Sequence, residues 1–143
     1  MHPHELVSEF KQVYSQLNFD TLDLLKSVYD KKIIFEDPLH HIEGLEQLRS
    51  YFEHMYQRVE HIQFDYQNEV IEENKATIIW AMHFKHPRIK KGRQVSVNGC
   101  TYLQFEDKVS YHRDYFDLGQ MLYENITLIG PVISSIRKRA GNL

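Results

Sequence analysis

The chain has 143 residues, of which 42% are apolar and 13% aromatic, a composition typical of a globular protein with one core. Its 17 basic and 20 acidic residues give a net charge near −3, which argues against nucleic acid or an anionic membrane as the main partner. No apolar run approaches the ~18 residues of a membrane-spanning helix. The first residues lack a basic segment followed by an apolar run, so no signal peptide is expected. The single cysteine, Cys100, excludes an internal disulfide and is compatible with a cytoplasmic location.

The first half of the sequence has the spacing of helices. Apolar residues recur every three or four positions over 6–17, which predicts a helix with one buried face. Asp20 is a candidate cap for a second helix over 22–29. A short apolar strand is expected at 33–35, and a third helix over 45–59. The sequence therefore predicts three N-terminal helices, with a short strand between the second and the third.

The second half alternates apolar and polar residues, as β-strands do. Short turns separate four predicted strands, which span 61–72, 75–86, 93–105 and 109–117. Helices followed by an antiparallel meander predict one α+β domain over residues 1–143. A long, curved antiparallel sheet would carry the three helices on its concave face and form a cone with a pocket inside. Residues 118–123 could form a last strand or a turn. In the C-terminal extension, 124–143, a short helix could start at Gly130-Pro131.

The last predicted strand carries two ionisable residues with one residue between them. His112 and Asp114 lie on one face of the sheet, about 7 Å apart along the strand. If that face is covered, a carboxyl group in an apolar setting is a candidate acid or base. His112 could act in the same way or donate a core hydrogen bond. Asp37 is either a turn former before Pro38 or a second pocket carboxyl, which could pair with Asp114 as proton donor and acceptor.

Several side chains on the predicted inner faces could line a pocket, although core packing is the default role for most of them. The candidate ligand-binding residues are Tyr14, Tyr51, Met55, Trp80, Met82, Phe84, Thr101 and Phe116. The adjacent His40 and His41 would point to opposite sides of an extended segment, and no metal-ligand spacing is present, so no metal site is predicted. The basic loop at 87–92 is interpreted as a solvated hairpin, or alternatively as a contact for an anionic substrate tail or a partner.

Three groups of motifs, in this order, resemble the NTF2-like superfamily. The first is Phe-Glu-Asp-Pro at 35–38 with Gly-Leu-Glu-Gln-Leu at 44–48. The second is Gly-Arg at 92–93, leading into a strand that ends with 99–105. The third is Arg-Asp-Tyr-Phe-Asp-Leu at 113–118. Within the superfamily, the chain is similar to the SnoaL-like group, which includes polyketide cyclases, ketosteroid isomerases and limonene-epoxide-hydrolase-type enzymes.

The resemblance implies roles for three residues. Asp37, in its Glu-Asp-Pro setting, matches the base with which ketosteroid isomerases move a proton between carbons. Asp114 matches the carboxylate that activates water in the epoxide-hydrolase branch. His112 falls where that branch has a tryptophan lining the water site. The resemblance also implies a homodimer formed through the outer face of the sheet.

The sequence departs from both parent sites. The isomerase tyrosine that stabilises an oxyanion aligns nearest Val13, with Tyr14 adjacent, and the isomerase's protonated aspartate aligns near Thr101. The arginine and second aspartate of the epoxide hydrolases are absent from 79–84. A general base that lacks its partner acid loses much of its effect, so neither parent activity follows directly.

The first hypothesis is therefore a cofactor-free isomerase, cyclase or hydratase acting on a small apolar molecule. Asp114 would be its general base, and Asp37 and His112 would be acid or orienting partners. The first alternative is a non-catalytic binding module of the same fold. The second is a structural or regulatory homodimer whose pocket is filled by its own side chains.

Overall fold

The computed structural model describes residues 2–121 and 130–142. Its helices are α1 (Pro3–Gln16), α2 (Leu25–Val28), α3 (Leu45–Tyr56), α4 (Leu118–Met121) and α5 (Gly130–Gly141). Within those two ranges, no helix is long and apolar enough to cross a membrane. For residues 118–123 the sequence indicated either a last strand or a turn, and the first four of these residues form α4. Residues 122–129, which include part of the predicted C-terminal extension, lie outside the described residues.

The second predicted helix is shorter than expected and is capped differently. A 3-10 turn over Leu22–Leu24 precedes the four residues of α2. Asp20 is not its cap, because the backbone N–H of Asp20 donates to the Asn18 side chain and the residue before the turn is Thr21. The chain becomes extended at Tyr29, where β-branched and aromatic residues favour a strand.

Six strands form one sheet in the order β2-β1-β6-β5-β4-β3. They are β1 (Tyr29–Glu36), β2 (His41–Glu43), β3 (Glu60–Glu72), β4 (Lys75–Lys85), β5 (Gln94–Phe105) and β6 (Val109–Phe116). The four strands from β3 to β6 form the predicted antiparallel meander. The predicted curved antiparallel sheet is present and has one parallel pairing in addition, since β1 runs parallel to β6. The sheet is therefore mixed.

The parallel pairing of β1 with β6 positions the candidate site. In its register, Phe35 lies opposite His112 and Glu36 lies opposite Arg113. β1 ends at Glu36 and Asp37 follows it directly, as Asp114 follows Arg113 within β6. Residues that are 77 positions apart in sequence thus meet at neighbouring positions of the sheet.

The core lies between the helices and one face of the sheet. Leu6, Val7 and Phe10 from α1 are almost completely buried, as is Leu48 from α3. These residues repeat at three- and four-residue steps, so burying one helix face removes them all from water. Two polar residues, Thr101 and His112, are buried with this apolar core. Both of them belong to the candidate site.

A close approach between strands requires a glycine at position 99. Gly99 in β5 lies opposite Trp80 in β4, and the indole ring packs over the glycine. A Cβ atom at this position would lie 2.5 Å from a ring carbon of Trp80 and 2.6 Å from the carbonyl oxygen of Tyr115. The backbone oxygen cannot move without disturbing the pairing with β6. The glycine therefore fixes the position of the Trp80 ring.

We expect Gly99→Ala to destabilise the protein by about 1–3 kcal/mol, because the added methyl group overpacks this contact. The chain has one tryptophan, so its fluorescence reports the displacement of Trp80 directly. Urea unfolding and the emission spectrum measure the two effects. Gly141→Ala is the matched control, because no atom lies within 4 Å of its added Cβ. An unchanged spectrum and unfolding free energy for Gly99→Ala would refute this packing argument.

Candidate active site

A cavity of about 200 Å³ opens between α3 and the inner face of the sheet. It is smaller than the roughly 300–1,000 Å³ of pockets that take drug-sized ligands. Its wall is mainly aromatic and aliphatic, and its polar groups include two carboxyl groups. The lining residues are Tyr14, Phe35, Asp37, Leu39, His40, Tyr51, Phe52, Met55, Tyr56, Val59, Ile62, Phe64, Met82, Phe84, Ile89, Asp114, Phe116 and Met121. The dimensions suit a small, mostly apolar molecule.

The structure divides the sequence-predicted ligand residues into two groups. Six line the cavity: Tyr14, Tyr51, Met55, Met82, Phe84 and Phe116. Trp80 and Thr101 do not line it and lie behind the wall, at 2% and 4% exposure. They are connected to the cavity through Asp114. Their contribution is to hold that carboxylate rather than to touch a ligand.

Asp114 is anchored through one carboxylate oxygen. The Thr101 hydroxyl donates to Oδ1 over 2.5 Å, and His112 Nε2 donates to the same oxygen over 2.8 Å. The Trp80 indole N–H donates to the Thr101 hydroxyl oxygen over 2.8 Å, which fixes the direction of the hydroxyl proton. Among the described residues, no hydrogen bond reaches Oδ2 of Asp114. The carboxylate is therefore held rigidly by one oxygen, while the other is available at the cavity wall.

His112 is the centre of a buried chain of hydrogen bonds. Its Nδ1 lies 2.7 Å from the Tyr29 hydroxyl, which lies 2.6 Å from the Tyr14 hydroxyl. His112 is 1% exposed and is surrounded by aromatic rings, of which Phe35 is 4.5 Å away between centroids. The chain joins Asp114 to Tyr14, and both of these residues line the cavity. The sequence placed His112 and Asp114 on one face, and the structure brings them into direct contact.

The direction of each hydrogen bond in this buried chain can be assigned by starting from the Asp114 carboxylate. Ionised Asp114 can only accept, so neutral His112 carries its proton on Nε2 and accepts at Nδ1. The Tyr29 hydroxyl then donates to His112, and the Tyr14 hydroxyl donates to Tyr29. In this state Tyr14 presents only an acceptor to the cavity. A protonated His112 would donate from Nδ1 instead and reverse the chain, which would turn the Tyr14 proton towards a ligand.

The phenols around the cavity are kept in their neutral form. Burial raises the pKa of Tyr14 and Tyr29 well above its usual value, and the charge of Asp114 adds to the effect. Burial also raises the pKa of Tyr51, and the neighbouring Asp37 and Asp114 carboxylates raise it further. Phenols held neutral in this way carry no negative charge into the cavity and cannot serve as bases near neutral pH.

We expect these phenols to make the fold sensitive to alkali. A pKa that is raised in the folded state stabilises the fold fully below the unfolded value, about 10 for tyrosine, and this contribution is lost as the pH rises through the folded pKa. Stability should therefore fall above about pH 10, with tyrosine ionisation accompanying unfolding. Urea unfolding and ultraviolet absorbance across that range provide the test. In Asp114→Asn the loss of stability at alkaline pH should be smaller, because one cause of the raised tyrosine pKa values is removed. An alkaline loss of the same size in both proteins would contradict the role assigned to this carboxylate.

Asp37 stabilises the turn after β1 and also lines the cavity. Its Oδ1 accepts from the backbone N–H groups of Leu39 and His40, over 2.8 and 2.7 Å. The His40 ring lies 2.9 Å from the same oxygen. The sequence offered two interpretations of Asp37, a turn former and a carboxyl group in the pocket, and its surroundings have features of both. These bonds tie the Asp37 carboxylate to the turn.

Sequence analysis missed several residues of this site. Tyr29 was assigned to the second helix, and its alternation with Ile33 and Phe35 was the signal for a strand. Phe35, Tyr56 and Phe64 also line the cavity. His41 pairs with Glu36 and Glu43 outside the cavity, and in the described parts of the chain no cluster of three or more His, Cys, Asp or Glu residues could hold a metal.

Comparison of the sequence with family models identifies the SnoaL-like domain over residues 10–112, which is well over half of the chain. The chain belongs to the SnoaL-like family. The resemblance inferred from the motifs is thereby confirmed, and residues 10–112 contain all the strands except the end of β6. No curated protein matches the sequence of this SnoaL-like protein.

Solved structures share its fold at low sequence identity. An NTF2-like protein of unknown function from Burkholderia pseudomallei has a TM-score of 0.76 at 12% identity, covering 89% of this chain and 99% of that one. An LEH-like epoxide hydrolase from M. tuberculosis has a TM-score of 0.72 at 14% identity, covering 94% of this chain and 98% of that one. A protein with a ketosteroid isomerase-like fold from Catenulispora acidiphila, in complex with trimethylamine, has a TM-score of 0.71 at 15% identity. The match covers 85% of this chain and 92% of that one. At these identities the likeness shows the NTF2-like fold and no activity.

Proposed function

We propose that this SnoaL-like protein binds a small apolar molecule in the cavity and isomerises, cyclises or hydrates it, with Asp114 as the general base. The observation that carries the proposal is the asymmetry of the Asp114 carboxylate. Thr101 and His112 hold Oδ1, while Oδ2 has no hydrogen-bond partner among the described residues. A base that is fixed in position, in a largely apolar cavity, needs little reorganisation to accept a proton.

Two proton transfers are compatible with this geometry. In an isomerase or cyclase, Asp114 Oδ2 would take a proton from carbon, and the electron pair would move onto the conjugated carbonyl group. In an isomerase the proton would then return to another carbon of the substrate, whereas in a cyclase the enolate carbon would attack a second carbonyl group of the molecule and the proton would pass to the alkoxide oxygen that forms. In a hydratase, Oδ2 would take a proton from water as the water oxygen bonds to the substrate, the electron pair of the opening double bond or epoxide C–O bond would move to the neighbouring atom, and the proton would then pass to that atom. Asp37 and Tyr51 would orient the polar end of the molecule. Both routes use only acid and base groups of this chain.

The alternative is a binding module without catalysis, and a specific observation favours it. The Thr101 hydroxyl donates to Asp114, and the Tyr14 hydroxyl is used by Tyr29. Neither therefore offers a proton to a ligand carbonyl while His112 is neutral. The open cavity argues against the version in which side chains fill the pocket.

The test is an isotope screen that separates the two routes from binding alone. Small enones, ketones and epoxides are incubated with the protein in heavy water, and in parallel in water enriched in ¹⁸O. Deuterium on carbon without a new hydroxyl group, above the exchange seen without protein, would indicate proton removal from carbon, and ¹⁸O in a newly formed hydroxyl group would indicate attack by water. Met55→Trp is the control, because a larger ring at this wall position should block the cavity and abolish both signals. Binding by calorimetry without either signal would favour the binding module.

We also propose that the protein is a cytoplasmic homodimer formed through the outer face of the sheet. Ile79, Cys100 and Tyr115 lie opposite one another on three adjacent strands, and Ile79 and Tyr115 are 42% and 48% exposed. A row of exposed apolar side chains of this kind favours association. Ile79→Lys should convert a dimer into a monomer in light scattering, whereas Lys75→Gln should not. A monomeric wild-type protein would refute the proposal.

A further inference from the structure

A second cleft adjoins the cavity and has a different character. It measures about 620 Å³ and shares the side chains of Tyr56 and Val59 with the cavity. The rest of its wall is predominantly basic and comes from the end of α3 and the loop after β4. These other lining residues are Gln57, Arg58, Lys85, His86, Pro87, Arg88 and Gly92. The apolar cavity and a positively charged cleft therefore meet at Tyr56 and Val59.

The positive charge of this cleft runs against the charge of the whole protein. The chain carries a net charge near −3, yet five of its 17 basic residues fall within residues 85–93. No Asp or Glu occurs between Glu73 and Glu106, so β4, the basic loop and β5 contribute no carboxylate. The acidic residue nearest in the sheet register is Glu60 of β3, opposite Lys85. A basic surface on an acidic protein attracts anions locally.

The two guanidinium groups of the cleft are not used in ion pairs within the described part of the chain. Among the described residues, no ion pair involves Arg58 or Arg88. The His86 Nδ1 accepts from the backbone N–H of Arg88 over 3.0 Å, so the neutral ring carries its proton on Nε2 and can donate it. The loop is also strained, since Lys90 and Lys91 have φ angles of 52° and 55°. The cleft thus contains two guanidinium groups and a directed imidazole donor.

We propose that this cleft binds the anionic group, phosphate or carboxylate, of a ligand whose apolar end lies in the cavity. Arg58 and Arg88 would hold the anion through charge-assisted hydrogen bonds, and His86 would donate from Nε2. The wall formed by Tyr56 and Val59 would cover the apolar part between the two ends. The inference rests on the proposed function, because it assumes that the cavity takes the apolar end. It adds a substrate class, namely small apolar compounds with an anionic tail.

Four probes with the same six-carbon chain isolate the contribution of charge: hexan-1-ol, hexyl phosphate, heptanoate and hexylammonium. Calorimetry at low salt should show at least one of the anions binding about tenfold or more tightly than the alcohol, and the ammonium no more tightly. The gain should largely vanish in about 1 M salt, where exposed charges are screened. The stronger of the two anions identifies the chemistry of the tail.

Two variants locate the effect. Arg88→Gln should reduce the binding of the anion towards that of hexan-1-ol without changing the alcohol. Lys32→Gln, which removes an exposed positive charge from β1, should change neither. Equal binding of the alcohol and both anions would overturn the tail site and leave the cavity proposal standing. Equal losses of anion binding in the two variants would have the same consequence. If hexan-1-ol itself fails to bind, the apolar-cavity proposal fails, and the tail site with it.

Discussion

Asp114→Asn is expected to lower kcat by about 10²–10⁴-fold, the usual contribution of a positioned general base, with little change in ligand affinity. The substitution is isosteric, and an amide oxygen can still accept from Thr101 and His112. The amide nitrogen then replaces Oδ2, which removes the proton acceptor from the cavity wall. Circular dichroism should be unchanged, so the loss can be assigned to chemistry rather than to folding. Turnover of a substrate found in the isotope screen, together with KM, provides the measurement.

The control for this variant is Asp107→Asn, which removes the same charge from the exposed turn between β5 and β6. It should retain wild-type kcat, because the residue does not line the cavity. If Asp114→Asn retains wild-type kcat as well, Asp114 is not the base. If it raises KM and leaves kcat unchanged, Asp114 contributes binding that is equal in the ground state and the transition state.

His112→Ala is expected to cost roughly 2–5 kcal/mol of unfolding free energy, the largest stability effect among these predictions. The truncation leaves a void among buried rings and removes the partner of both Tyr29 and Asp114. Unsatisfied buried polar groups add to the cost of the void. Turnover should also fall, because the carboxylate loses one of the two bonds that fix it. Urea unfolding followed by circular dichroism measures the change in stability.

Two further variants make the His112 result specific. Tyr29→Phe keeps the ring and removes only the hydroxyl, so it should cost about 1–3 kcal/mol. His54→Ala, on the exposed face of α3, should be close to neutral. A His112→Ala protein as stable as His54→Ala would show that the buried chain does not stabilise the fold. A Tyr29→Phe protein that matches His112→Ala in stability would mean that the hydroxyl, rather than the ring void, dominates.

Local patterns in the sequence predicted the first and third helices and the meander well. Strand β4 was expected over 75–86 and spans Lys75–Lys85, because alternation and bounding turns are local signals. The pairing of β1 with β6 could not be read in the same way, since it joins segments more than 70 residues apart. The mixed sheet, and the approach of Asp37 to Asp114, follow from that pairing.

The site shows the same division between local and distant information. The alternation of residues in β6 placed His112 and Asp114 on one face without the structure. It could not show that Thr101 and Trp80 lie behind Asp114. Knowing which face of the sheet a side chain is on does not reveal whether it reaches the cavity or packs against a neighbouring residue. Tyr29 was hidden for a related reason, since the residues before it have helical spacing. The structure thus changed two expected ligand contacts into supports of the carboxylate.

The most direct test of the central claim is a crystal structure of Asp114→Asn with substrate bound, since this variant should hold the substrate without converting it. We predict that the molecule occupies the cavity, with its reacting carbon or a bridging water about 3 Å from the residue 114 side-chain atom that replaces Oδ2. An anionic tail, where the substrate has one, should extend towards Arg88. A substrate bound elsewhere, or one that turns its reacting atoms away from residue 114, would contradict the account.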